Sequence, residues 1–294
     1  MADIEAADRI VYRGMTQAEL DDQYNQHSLV PNSGVYKQKK IAESARVREK
    51  LGGLRDVAYG PSRHELLDVF TSGKAGAPTL IFIHGGAWKA GHKDEVSFVA
   101  EHFVAAGANC VAVNFALVPE VRLAEQVRQA AAAIAWLWRN AASFGGDPEK
   151  LYVTGHSSGG HVTGMMMVTR WQEEFSVPDR VLKGAAPFSG MFDLEPVQLS
   201  WRNSYLKMDR DEALTLSPIR RIPDHGMKLV IGYGEGELAE FQRQSREFAA
   251  AWCARGYPCN ELALPGLNHF EVQQLYGRSD SVITKAILAM MELA

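Results

Sequence analysis

The spacing of apolar residues changes along the chain, and the changes mark its elements. From about residue 55, short β-rich runs appear at Asp56–Tyr59, Leu66–Phe70, Thr79–Ile83 and Asn109–Phe115. The first two lie close enough to form a hairpin. The next two are almost continuously apolar, as strands buried on both faces must be. Between them, Lys93–Ala106 predicts a helix. A long helix is predicted over Pro119–Ala142, where Val121, Ala124, Val127, Ala131, Ile134 and Trp138 recur at three- and four-residue steps. Pro119 suits its first turn, and Gly145-Gly146-Asp147-Pro148 stops it. Strand-like runs return at Leu151–Thr154, Leu182–Phe188, Lys228–Tyr233 and Glu261–Leu264. Helical stretches follow at Gly159–Arg170, Ala239–Arg255 and Ser279–Leu293. This alternation predicts an α/β protein with a mostly parallel central sheet and helices on both faces. One such sheet can absorb about 240 residues, so residues 1–294 read as one domain. The first 53 residues are polar and helix-prone at Thr16–Gln26 and Lys39–Lys50, with a loop at Pro31-Asn32-Ser33-Gly34. They read as an N-terminal helical extension packed near the active site.

Composition narrows the function classes. Of 294 residues, 46% are hydrophobic and 22% charged, which excludes a disordered chain. The net charge of −4 speaks against a nucleic-acid partner, which calls for a basic excess. The longest uncharged stretch, Leu151–Thr169, is too rich in Gly, Ser, Thr and His to face lipid, so no membrane span is expected. Three cysteines, Cys110, Cys253 and Cys259, form neither a disulfide framework nor a C-x-x-C pair. Met1–Arg13 shows no secretory pattern, and a cytoplasmic location is expected. Ser279–Leu293 reads as a core helix, with a homodimer contact as the alternative.

Gly155-His156-Ser157-Ser158-Gly159 matches G-x-S-x-G. The pattern arises by chance in about one chain in ten of this length, so its context carries the weight. It falls between a predicted strand and a predicted helix, as a nucleophile elbow requires. Ser157 is the candidate nucleophile. His84-Gly85-Gly86-Ala87-Trp88 follows another buried strand. The N–H groups of Gly85 and Gly86, with that of Ser158, are candidates for an oxyanion hole. A tight turn supported by a histidine is the alternative. The serine hydroxyl needs a base, and His269 lies after the last strand, where the order serine, acid, histidine places it. His156 and His161 read as structural. His92 and His102 lack partners at metal-ligand spacing, so no metal is expected. The acid should follow Lys228–Tyr233, and spacing leaves Glu235, Glu237 and Glu240 open.

Together these motifs resemble the α/β-hydrolase superfamily, in the branch with an H-G-G-x-W loop that holds hormone-sensitive-lipase-like esterases. The chain is more similar still to the kynurenine formamidase (arylformamidase) group. The likeness rests on Tyr24-Asn25, His84–Trp88, Gly145–Pro148, Gly155–His161, Glu240-Phe241-Gln242-Arg243-Gln244-Ser245 and Asn268-His269-Phe270. The resemblance implies an α/β-hydrolase fold and a serine hydrolase that works through an acyl-enzyme without cofactor. It also places the acid three residues before Glu240, at Glu237, where the family usually carries aspartate. The small-molecule substrate it implies is an N-formyl or N-acyl arylamine, N-formylkynurenine first. Trp88, Tyr24, Phe192 and Trp171 are candidates to line its aromatic pocket. Alternatives are a carboxylesterase or amidohydrolase of the same fold, and a binding protein that has lost catalysis. The presence of both Ser157 and His269 speaks against the last.

Overall fold

The computed structural model describes residues 9–294. The absence of a secretory pattern in Met1–Arg13, and the start of the N-terminal extension, therefore lie partly outside the described residues. Eight strands form one sheet: β1 (Leu54–Ala58), β2 (Leu66–Phe70), β3 (Ala77–Ile83), β4 (Asn109–Val113), β5 (Gly146–His156), β6 (Leu182–Phe188), β7 (Lys228–Gly234) and β8 (Cys259–Leu264). Their order is β8-β7-β6-β5-β3-β4-β2-β1. The β1–β2 and β2–β4 pairs are antiparallel and the rest parallel. All seven residues of β3 and all five of β4 are buried, which accounts for their unbroken apolar runs.

Five longer helices accompany the sheet: α1 (Gly34–Leu51), α2 (Leu123–Asn140), α3 (Ser158–Met167), α4 (Ala239–Ala254) and α5 (Val282–Met290). One apolar cluster includes Ile81, Ile134, Val153 and Met166; another includes Leu80, Phe82, Tyr276 and Ile287, and takes in α5 through Ile283, Ile287 and Met290. No helix among the described residues is long and apolar enough to cross a membrane.

Three local expectations change. Lys93–Ala106 is not one helix: two 3-10 turns, Lys93–Glu95 and Ser97–Val99, precede an α-helix at Ala100–Ala106. The break turns Lys93 inward, where its ammonium meets Asp56 at 2.6 Å, Asp68 at 2.9 Å and Asp94 at 2.9 Å. Arg48 of α1 also pairs with Asp68, so this buried cluster pins the N-terminal helix to the sheet edge. Pro119 does not open the long helix, which begins at Leu123. The residues ahead of α2 are held by other partners: Val118 N–H donates to Trp88 O, and Gln129 Oε1 accepts from Ala116 N–H. Ala124 is exposed, and the inward face of α2 is set by Leu123, Val127, Ala130, Ile134 and Leu137. A two-stranded ribbon, Ile10–Tyr12 with Met15–Thr16, was not expected.

The register positions the site. Ile83 at the end of β3 pairs with Gly155 of β5, and His156 pairs with Phe188 of β6. The H-G-G-x-W loop and the G-x-S-x-G turn therefore leave the sheet side by side at its carboxyl edge. That edge of an open α/β sheet is where ligands bind.

Candidate active site

Ser157 sits at a sharp strand-to-helix turn with φ 61° and ψ −125°. A serine held in this sparsely populated region is strained. Gly159 allows the turn: a Cβ there would lie 2.2 Å from Ile83 O, so only a hydrogen fits between elbow and central strand. His269 Nε2 lies 2.9 Å from Ser157 Oγ, and its Nδ1 lies 3.0 Å from Glu237 Oε2. His269 follows Asn268, whose side chain caps the short helix His269–Gln274 through the N–H groups of Phe270 and Glu271. Phe241 of α4 stands edge-on to the His269 ring at 5.0 Å.

Glu237 is 5% exposed, and its second oxygen is fully engaged. Oε1 accepts from Ser189 Oγ at 2.5 Å and from Gly234 N–H at 2.9 Å. The other two glutamates point elsewhere. Glu240 pairs with Arg243 at 2.6 Å and accepts from Tyr24 OH, and Glu235 is exposed. The structure thus brings Glu237, of the three, to His269. Ser189, which supports it, had no signal in the sequence beyond its place after β6.

The N–H groups of Gly85, Gly86 and Ser158 find no acceptor among the described residues. Ala87, which the sequence reading did not single out, also keeps its N–H free. Gly86 has φ +134°, and a Cβ there would lie 2.1 Å from Ala90 O, so this loop position also requires glycine. A carbonyl oxygen placed at such free donors gains charge stabilisation as it becomes an oxyanion.

Three further histidines near the serine, His84, His156 and His161, are buried and neutral. Burial pushes His84 down to about 3 and His161 down to about 4. It also holds His156 well below the usual imidazole range, with the neighbouring His269 adding to the effect. His161 Nδ1 accepts from Trp88 Nε1 at 3.1 Å, and its Nε2 lies 2.8 Å from Leu216 O. His156 packs its ring 4.5 Å from that of His269.

A cleft of about 480 Å³ opens over Ser157, His269 and the Gly85-Gly86 turn. Residues of the N-terminal segment wall it, among them His27 and Tyr36, with Tyr24 behind them, its side chain fully buried and its hydroxyl tied to Glu240 and Gln244. Tyr36 stacks on Phe270 at 6.0 Å and His27 tilts against it at 5.1 Å. Three sequence candidates do not belong to the cleft. Trp88 is 2% exposed and turned under the loop to His161. Phe192 is fully buried, stacked on Phe248 at 4.5 Å. Trp171 is likewise core, against Phe175. Aromatic identity reported their burial but not their direction. The arrangement can move a proton from the serine hydroxyl to imidazole beside free backbone donors, which is the chemistry of acyl transfer.

Comparison with known proteins bears on the fold and the class of activity. Residues 67–190 match the BD-FAE family model. A kynurenine formamidase of Danio rerio is 28% identical over 293 residues, 95% of this chain and 98% of that one. Esterase LipQ of Mycobacterium tuberculosis is 28% identical over 73% of this chain and 56% of its own. Among solved structures, a putative thioesterase from Silicibacter superposes with a TM-score of 0.79 at 25% identity, covering 92% of this chain and 98% of that one. The chain is a serine hydrolase of the α/β-hydrolase fold, resembling the grouping of kynurenine formamidases and hormone-sensitive-lipase-like esterases.

Proposed function

We propose that Ser157 is the nucleophile, His269 the general base and acid, and Glu237 the residue that orients it, in hydrolysis of an N-formyl or N-acyl arylamine. The reading is carried by the unbroken relay from Ser157 Oγ through His269 to Glu237, at 2.9 and 3.0 Å. His269 Nε2 takes the hydroxyl proton as Oγ bonds to the acyl carbon. The N–H groups of Gly85, Gly86 and Ser158 receive the oxyanion. The C–N bond then breaks, and His269 returns the proton to the departing amine. Water, deprotonated by the same imidazole, releases the acyl group and restores Ser157. Each oxyanion donor contributes about 2.7–4 kcal/mol to such a step.

N-formylkynurenine is the first candidate substrate. The choice is supported by the likeness to kynurenine formamidases over nearly the whole chain. The aromatic wall of Tyr36, Phe270 and Trp201 also suits an aryl leaving group. We read the chain as one α/β-hydrolase domain with residues 1–53 as its cleft-walling extension. Its place is the cytoplasm, a reading in keeping with free Cys110, Cys253 and Cys259. The test is kcat/KM on N-formylkynurenine beside phenyl acetate and a short p-nitrophenyl ester, with Ser157→Ala as blank. A value above about 10⁴ M⁻¹s⁻¹ on the formamide supports the proposal. Efficient ester turnover with negligible formamide turnover would transfer the enzyme to the carboxylesterases.

A further inference from the structure

The cleft is more positive than the chain around it. Lys37, Lys40, Lys89 and Arg202 line it, and the one carboxylate among its described lining residues is Glu95, already paired with Lys40 at 3.4 Å. The chain as a whole carries −4. A local excess of cations in a low-dielectric cleft concentrates anions there.

Arg202 stands out within this group. It is 6% exposed, yet no carboxylate pairs with it among the described residues. Nε and Nη2 donate to Tyr24 O at 3.1 and 2.8 Å, while Nη1 meets Met191 Sδ at 3.7 Å, a weak acceptor. The guanidinium lies over the rings of Tyr24 at 5.5 Å and of Trp88, Trp201 and Phe241 at 5.9 Å. Rings stabilise a buried cation only in part, and a guanidinium cannot discharge itself by losing a proton. Such a group still lacks a counter-ion. Lys89 adds a second cation at the exposed rim, 4.1 Å above Tyr205 and 5.7 Å above Trp201, the ring it shares with Arg202. Independently, Gln26 lines the same cleft at 4% exposure, and its Nε2 donor has no acceptor. Phe241 relates this corner to the chemistry: its ring stands edge-on to His269 and also faces Arg202.

We infer that Arg202, with Lys89 at the rim, is the anion subsite of the catalytic cleft and selects substrates that carry a carboxylate remote from the scissile acyl bond, as N-formylkynurenine does. The carboxylate would take the free N–H groups of Arg202 in the forked geometry that guanidinium offers, one aromatic side chain away from His269. This rests on the proposed reading of Ser157 and His269 as the reacting centre.

The experiment compares two aryl esters that differ only in charge, 3-(2-acetoxyphenyl)propanoate and its primary carboxamide. Wild type should favour the carboxylate by about tenfold or more in kcat/KM, mostly through KM, and the preference should shrink as salt is raised. Arg202→Gln should reduce that ratio about tenfold, and Lys89→Gln about threefold. Equal turnover of both esters by wild type overturns the inference. So does an Arg202→Gln loss that falls equally on both, which is the signature of a merely structural arginine holding Tyr24 in place. Lys89→Gln guards against misfolding, because Lys89 is exposed. Calorimetric binding of the hydrolysis product 3-(2-hydroxyphenyl)propanoate and its amide reads the subsite without catalysis. If neither ester is cleaved but the acid alone binds, the reacting centre has been misread and the anion subsite stands. If acid and amide bind equally, the subsite is refuted.

Discussion

Replacing Glu237 by glutamine tests the relay at its most constrained point. Glutamine keeps the shape of glutamate and exchanges one acceptor oxygen for an NH2 donor. Two donors already converge on Oε1, Ser189 Oγ at 2.5 Å and Gly234 N–H at 2.9 Å. They require an acceptor, so the amide oxygen takes that side and the NH2 group faces His269 Nδ1. His269 must then accept at Nδ1, which puts its proton on Nε2 and aims it at Ser157 Oγ, 2.9 Å away. In that tautomer the imidazole cannot remove the hydroxyl proton. The opposite amide orientation keeps the productive tautomer, but it sets NH2 against the Gly234 N–H at about 1–3 kcal/mol for a buried, unmatched donor, and it still withdraws the negative charge that stabilises the imidazolium. Either way the productive state becomes rare. The expected loss in kcat is about 10⁴-fold, or roughly 5 kcal/mol of barrier, as for a serine-protease triad given the wrong tautomer. Steady-state kinetics on the preferred ester, with far-UV circular dichroism to verify folding, measure it. Activity within tenfold of wild type would refute the tautomer argument. A large loss in Glu235→Gln instead would move the acid to an exposed residue that the hydrogen bonds do not favour.

Three further outcomes follow from the same contacts. Ser157→Gly should be inactive yet more stable by about 1 kcal/mol, because glycine relieves the positive φ; a melting temperature below wild type would contradict the strain. Asp68→Asn removes the fully buried partner of Lys93 and should cost about 3–5 kcal/mol in urea denaturation, and a loss under 1 kcal/mol would mean that Asp56 and Asp94 suffice. Stability should fall in mild acid because His84 and His161 are held down at about 3 and about 4 in the folded protein, below the ordinary value of 6.5. The unfolded chain protonates first, so their contribution is complete above pH 6.5 and fades as pH drops toward the folded values. At about 1.4 kcal/mol per histidine per pH unit, the two together should remove roughly 3–4 kcal/mol between pH 6.5 and 5, and an unchanged denaturation midpoint over that range would refute it.

Strands buried on both faces were the most legible part of the sequence. The limits of Leu66–Phe70 and Leu182–Phe188 coincide with those observed, because apolar residues run along both strands and are broken by charge only at Asp68 and Lys183. Serine and histidine were legible for a related reason. A tight elbow demands glycines at fixed spacing, and the order of elements places the base after the last strand. Spacing alone did not single out the acid, since three glutamates follow β7 closely and, apart from the family resemblance that pointed to Glu237, only a tertiary fact separates them: Ser189 and Gly234 supply donors at the position Glu237 reaches. Lys93–Ala106 misled because helix propensity is local, whereas the ammonium of Lys93 answers to carboxylates on β1 and β2. Trp88 and Phe192 misled because an aromatic residue beside a motif faces the ligand in some folds and the core in others, and sequence carries no direction for it.

Arg202 shows where sequence reading reaches its limit and what then takes over. It lies between β6 and β7 in a stretch of short helices, Glu195–Leu199, Asn203–Leu206 and Arg210–Thr215, with no period and no motif. Its meaning comes from residues distant in the chain: Tyr24 supplies a carbonyl, Trp88 and Phe241 supply rings, and no acid among the described residues supplies a charge. On the proposed reading, the three elements that meet at Arg202 also serve the reaction. Tyr24 belongs to the segment that walls the cleft, Trp88 to the loop of free N–H groups, and Phe241 to the face that holds His269. A ligand that neutralised this arginine would therefore tighten all three at once. Binding energy gained far from the scissile bond would then be spent on aligning base and oxyanion donors, which is how remote contacts raise kcat as well as affinity.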